Sequence, residues 1–276
     1  MTPALRSHVK DGVRYASLVA GVVLGLARIT AAQSIGLAPA QVDAVVKAGQ
    51  PARFEFSVAN PGDQPVAIRS TVTDLWYNEK NEKTFGPAGS SPHSAANWVQ
   101  FVPRMVTIAP KSSAKLTAFV TPPADARGGY YAVAFVESKP ELTTASTPDA
   151  RPVYANIRLG ALILLTVEGS GQYDVQLSDF ALTPPTPASP LTVAFTVRNQ
   201  SNTHVFPKAT LAILDAGNRL VAKAEGDPKR FLPGQSDHVT LAWTGTLPPG
   251  SYEGVLTVVY GDKQIQTRSL PLTIAR

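Results

Sequence analysis

Three histidines follow residue 32, at His93, His204 and His238, and none lies within four residues of another. Metal sites on one helical turn or hairpin take ligands at such short spacings, so these three read as separate surface side chains. Glu79, Glu82, Asp174 and Asp179 fall in stretches that read as polar turns or strand edges. Carboxylate catalysis needs two such groups facing one bond, and nothing in the spacing pairs any two of them. The chain contains no G-x-S-x-G elbow, no P-loop and no Asp/Asn run ending in Glu of the calcium-loop kind. Gly169-Ser170-Gly171 lacks the strand–helix frame of a phosphate loop and reads as a linker. Cysteine is absent, which removes disulfides, thiolate nucleophiles, Cys-ligated metals and a lipid-modified Cys together. Asn199-Gln200-Ser201 fits a glycosylation sequon, a pattern frequent by chance. Trp76, Trp98 and Trp243 could form a carbohydrate platform. Trp243 alternates with Leu241, however, and Trp98 precedes Phe101, which is the pattern of core residues. These residues describe a non-enzymatic protein with no cofactor and no metal.

Binding chemistry is the alternative, and one segment stands out for it. Val153–Val167 (VYANIRLGALILLTV) is the longest apolar strand candidate. Val153, Ala155, Ile157, Leu159, Ala161, Ile163 and Leu165 share one face, since strand side chains alternate. Tyr154, Asn156, Arg158 and Gly160 begin the other face, which turns apolar at Leu162 and Leu164. A strand apolar on both sides is either central in a core or an edge that pairs with a strand of another chain.

The elements that would position this segment are short strands. Arg53–Ala59, Leu116–Val120 and Tyr130–Val136 alternate apolar and polar residues, and Asn60-Pro61-Gly62, Pro122-Pro123 and Gly128-Gly129 punctuate them. Hydrophobic residues make up 44% of the 276 residues and charged ones 16%, enough apolar material for packed cores. An internal repeat sharpens the reading. ARFEFSVANPGDQPV, around Phe54, matches LTVAFTVRNQSNTHV, around Phe195, and the stretch 106–136 matches 230–260. Each copy has an apolar residue before Pro, a polar turn, an alternating strand, a Pro pair, then Gly and Tyr opening another strand. One plan used twice predicts an all-β protein of two tandem immunoglobulin-like β-sandwich domains. The expected boundaries are 33–168 and 172–276, with a hinge at 169–171. Two long polar loops, 78–97 and 139–152, fall in the first domain.

The N-terminus reads as an export signal over 1–32. Basic residues precede an apolar run of about 13 residues, Tyr15–Ala27, and small residues follow at Thr30 and Ala32. The run is short of the roughly 20 residues of a spanning helix. The mature chain is therefore expected to be exported, periplasmic or at the cell surface, and not membrane-spanning. The net charge of +5 is partly this segment's, where Arg6, Lys10, Arg14 and Arg28 oppose Asp11. No basic cluster with interleaved aromatics follows, so no nucleic-acid partner is expected.

The stretch WVQFVPRMVTIAPKSSAKLTAFVTPPAD (98–125), a Gly-Tyr strand, a long loop and the apolar segment 153–167 occur in that order. In this the first domain resembles the N-terminal domain of PapD-like periplasmic pilus-assembly chaperones. The resemblance implies two Ig-like domains in a boomerang and a partner that is a protein subunit of a pilus or surface structure. It implies strand donation from the segment carrying Val153, Ala155, Ile157, Arg158, Leu159, Ala161 and Ile163. The family's carboxylate-anchoring Lys falls near Gly160, and Arg158 is the nearest cation. The first strand region, IGLAPAQVDAVV, holds no Arg. The competing expectation is a structural or adhesive surface module that binds a protein or cell-wall polymer through the loops 78–97 and 139–152.

Overall fold

A computed structural model describes residues 35–78, 80–139, 141–143 and 153–275, without the side chains of 141–143 and 153–155. The expected export signal, 1–32, lies outside the described residues. In the described residues the first sandwich comprises β1 (Gly36–Ala38), β2 (Gln41–Val46), β3 (Ala52–Asn60), β4 (Val66–Tyr77), β5 (Lys83–Gly86), β6 (Val99–Val102), β7 (Met105–Ile108), β8 (Ser112–Val120), β9 (Gly129–Ser138), β10 (Glu141–Thr143), β11 (Val153–Ala155) and β12 (Arg158–Val167). The second comprises β13 (Val175–Thr183), β14 (Leu191–Asn199), β15 (Lys208–Leu214), β16 (Leu220–Glu225), β17 (Ser236–Trp243), β18 (Gly250–Tyr260) and β19 (Gln264–Ile274).

In the first sandwich one sheet runs β1-β3-β8-β6. The other runs β2-β12-β9-β4-β5, with β7 also on β4. In the second, β13-β14-β17 faces β16-β15-β18-β19. Period-two alternation builds both cores. Phe56 and Val58 of β3, Leu116 of β8 and Ile163 and Leu165 of β12 meet in the first. Val193, Phe195 and Val197 of β14 meet Leu211, Ile213, Leu256 and Val258 in the second. The fold is thus all-β, with two Ig-like β-sandwiches in series.

The repeat read from the sequence has a shared physical device at its centre. Asn60 ends β3 and Asn199 ends β14, and both are buried. The Asn60 Oδ1 accepts the Gly62 N–H at 3.0 Å, and its Nδ2 donates to the carbonyls of Gln64 (2.8 Å) and Ile108 (3.1 Å). The Asn199 Oδ1 accepts the Ser201 N–H at 2.9 Å, and its Nδ2 donates to Thr203 O (2.9 Å) and Phe231 O (3.0 Å). Each amide therefore folds its own turn at i+2 and i+4 and ties that turn to the apolar-Pro segment across the sandwich. That segment turns at a left-handed residue in both copies, Lys111 (φ 52) and Gly234 (φ 78). With its amide spent in the interior, Asn199 is a structural corner and not an accessible glycosylation acceptor.

Candidate functional site

The segment expected to run as one strand from Val153 to Val167 is broken. β11 pairs only with β10, as Thr143↔Val153 and Glu141↔Ala155, and β12 starts anew at Arg158. Asn156 and Ile157 lie between them, and the Ile157 carbonyl accepts the Ser138 N–H at 2.9 Å. Along β12 the two faces have different neighbours. Ala161, Ile163 and Leu165 are fully buried between the sheets of the first sandwich. Ala161 and Ile163 were expected among the partner-contacting side chains. In this chain both side chains point into the first core. Leu159, on the same face of β12, and Ile157, just ahead of the strand, are half-buried, and Arg158 is exposed. Val153 and Ala155 belong to β11, and their side chains lie outside the described residues.

The second apolar face of β12 belongs to the contact between the sandwiches. Leu164, with Leu75, Tyr131, Val133 and Phe135 of the same sheet, packs on Leu232 of the second sandwich, with Leu162, Tyr77 and Phe206 at the margin. Polar ties surround this patch. Gly129 donates its N–H to Asn202 O at 2.8 Å, the Thr166 and Thr203 hydroxyls meet at 3.0 Å, and Arg230 Nη1 donates to Gln41 Oε1 at 2.6 Å. A Cβ on Gly128 (φ +80) would stand 2.6 Å from Asn202 O, and one on Gly129 would collide with the Tyr131 hydroxyl. The Gly-Gly pair, legible in the sequence as a turn, is what lets the second sandwich approach. Ser170, in the expected hinge, accepts the Gly128 N–H at 2.8 Å and receives the Asn202 Nδ2 on its carbonyl at 2.9 Å.

His204, expected on the surface, is buried in this contact. Its Nε2 lies 3.1 Å from Asp43 Oδ1, and its ring packs edge-on against Tyr131 and Phe206. Burial also pushes the Tyr131 hydroxyl well above the ordinary phenol range, against a smaller opposing effect of Thr203. His93 is half-buried with Nδ1 on Gly129 O at 2.8 Å, and His238 is exposed beside Thr196. Asp174 and Asp179 are both exposed, and Glu79 lies outside the described residues. Among the described residues no group of three or more His, Cys, Asp or Glu could hold a metal ion. Also among them, no helix is long and apolar enough to cross a membrane.

The loop 78–97 is largely structured. It contains β5, paired to β4, and a short 3-10 turn at Ala96–Trp98. The buried Asp74 carboxylate anchors it by accepting from the Ser91 N–H (3.1 Å) and the Ser94 hydroxyl (2.6 Å). Trp98 lies 4.2 Å from Tyr130, ring to ring, and packs on the first core, as Trp243 packs on the second.

The backbone of β12 has one open stretch. β9 pairs with it along Arg158–Thr166, while β2 covers its other edge only from Leu162, in parallel register from Leu162↔Gln41 to Val167↔Val46. The Leu162 N–H reaches Ala40 O at 2.9 Å, so by two-residue alternation Gly160 and Arg158 present their N–H and C=O to that same edge. No strand pairs with them there among the described residues, because the chain ahead of β2 crosses at Pro39 to the other sheet as β1. Arg158 is itself engaged. Its Nε lies 2.6 Å from Glu137 Oε1, and its guanidinium stacks 3.7 Å from the Phe135 ring centre.

No protein-family model matches the chain, and no curated protein matches it. Solved structures similar to it include a class 5 fimbriae chaperone, CfaA, at 13% identity and a TM-score of 0.47, covering 88% of this chain and 100% of that one. A chain of a chaperone–tip adhesin complex of CFA/I fimbriae is similar at 13% identity and a TM-score of 0.47, over 87% of this chain and 98% of that one. A chain of the Salmonella enterica SafA pilin–SafB chaperone complex is similar at 13% identity and a TM-score of 0.41, over 87% and 96%.

Proposed function

We propose that the chain is an exported, non-enzymatic binding protein that takes a strand of a partner protein along the free edge of β12, as a chaperone of pilus or other surface subunits does. The observation that carries this reading is the second edge of Arg158–Ala161, unpaired among the described residues, which offers two residues' worth of backbone donors and acceptors beside the half-buried Ile157 and Leu159. A strand added there continues the line of β2 and satisfies groups that otherwise face water. Arg158 serves this site as a fixed part of its wall and not as a free anchor for a carboxylate, because Glu137 already neutralises it. Export is supported by the charged, apolar and small-residue sequence of 1–32. The adhesive alternative would use the loop 78–97, which Asp74 holds in one conformation through the Ser91 N–H and the Ser94 hydroxyl.

The test is co-purification of the tagged protein with an extracytoplasmic subunit from its native host, with Ile157→Asp and Leu159→Asp combined. Capture should fall at least tenfold while the melting temperature stays within a few degrees of the parent. Undiminished capture by the folded variant removes strand pairing at β12 as the function.

A further inference from the structure

β2 closes the second edge of β12, and it starts where the open stretch ends, at Leu162↔Gln41. Three features make it a weak cover. It is an edge strand, with β12 as its one neighbour in the sheet among the described residues. Its ladder is parallel, the less stable arrangement per residue. Of its six residues only the last, Val46, is buried, and Val45 is 67% exposed. The Val46 end is fixed, since Val46 O accepts the Glu168 N–H at 2.8 Å. The Gln41 end, beside the open stretch, is where such a strand frays. That end is held from outside the sheet. Gln41 and Asp43 share one face of β2, and Val42, Ala44 and Val46 on the other pack on the first core. Gln41 Oε1 accepts from Arg230 Nη1 at 2.6 Å, and Asp43 Oδ1 lies 3.1 Å from Nε2 of the buried His204. Both partners belong to the second sandwich.

We infer that the second sandwich clamps the fraying end of β2 and so sets the length of the open edge on β12. With the clamp closed, the open edge stops at Leu162. With the clamp released, β2 peels from Gln41 toward Val46, and the N–H groups of Leu162 and Leu164 join those of Arg158 and Gly160 on the free edge. The strand that fits this longer edge replaces the front of β2, with apolar residues at the alternate positions that Val42 and Ala44 now fill. The inference rests on β12 as the acceptor of a partner strand, but the clamp itself is measurable with no partner present. β12 also supplies its own control. Leu162 and Glu168 donate their N–H groups to Ala40 O and Val46 O, whereas Val167 donates to Gly128 O. By alternation Leu162 and Leu164 face β2, while Ala161, Ile163 and Leu165 face β9.

The test is amide hydrogen exchange of the 15N-labelled protein, read residue by residue along β12 by NMR. Gln41→Ala combined with Asp43→Ala removes both ties from the β2 side. Arg230→Ala removes one tie from the other side and leaves the sequence of β2 unchanged. The double variant should speed exchange at Leu162 and Leu164 by about tenfold or more, and Arg230→Ala should speed it at Leu162 by about threefold. In both, Ala161, Ile163 and Leu165 should stay within about twofold of the parent. Unchanged exchange at Leu162 and Leu164 in the double variant overturns the clamp. So does equal acceleration of the residues facing β9, which would mean that the whole sandwich had loosened. No change in Arg230→Ala also overturns it, because β2 would then be held by its own sequence and not by the second sandwich. The exchange rates test the clamp alone, and partner capture tests the acceptor edge.

Discussion

β12 and β19 are the last strands of their sandwiches, and they end in opposite situations. Among the described residues β19 pairs only with β18, and no strand pairs with its far edge. Of its eleven residues Leu272 alone is buried, and it carries Arg268 and Pro271, a cation and a residue without an N–H. Those are the devices by which an edge avoids pairing with another chain. β12 is interior along most of its ten residues, with β9 and β2 on its two edges, the first core on one face and Leu232 near the other. Where its second edge opens, at Arg158–Ala161, it has no proline, and its one cation is already tied to Glu137. A permanently exposed edge is protected, and the edge left unprotected is the short one whose flanks are otherwise sealed. This contrast is the reason to look for pairing on β12 and not on the longer, more exposed β19.

The largest effect should come from the sealed part of β12. Ile163→Asp places a charge in a core position with no exposed surface, and should destabilise the protein by more than about 4 kcal/mol in chemical denaturation. Leu159→Asp, four residues earlier on the same face but half-buried, should cost less than about 1 kcal/mol. Similar losses for the two variants would mean that β12 has no boundary between core and free edge. The matched corners give the next effect. Asn199→Ala leaves the buried Thr203 carbonyl without this donor, removes one of the two donors on Phe231 O, and should cost about 3 kcal/mol. Asn60→Ala, whose bonds to Gln64 O and Ala109 O are only partly buried, should cost about 2 kcal/mol. A difference of the opposite sign would break the equivalence drawn from the repeat.

The smallest effect is pH-dependent and belongs to the contact between the sandwiches. Tyr131 is held above its ordinary pKa by burial, so the neutral hydroxyl is the form the folded state favours. Its share of stability is complete below the unfolded value of about 10 and is lost as pH rises toward the raised one. The melting temperature should therefore drop more steeply between about pH 9 and 11 in the parent than in Tyr131→Phe. Parallel pH profiles would show that Tyr131 stays accessible to water in the folded protein.

Much of the fold was legible. Alternation at Phe54–Val58 and Leu191–Val197 fixes strands because the pleat has a period of two, and the two Asn-led turns mark one corner used twice. Gly128-Gly129 announced a turn but gave no hint that it would meet Asn202. The candidate site was legible only in outline. Alternation along β12 puts Leu159, Ala161 and Ile163 on one face, yet it gave no measure of where along that face the core closes. Nor could it show that Arg158 would pair with Glu137, twenty-one residues away in sequence but opposite in register.

By itself, then, the sequence determined the class of the protein: short alternating strands, one plan in two copies, no cysteine or catalytic constellation, and an apolar two-faced segment near the end of the first copy. Period, turn chemistry and composition are local quantities, and a single chain states them directly. Only the tertiary structure decided what that segment does, because cover on a strand is supplied by others: β2 on its edge, β3 and β8 across the core, and Leu232 from the second sandwich.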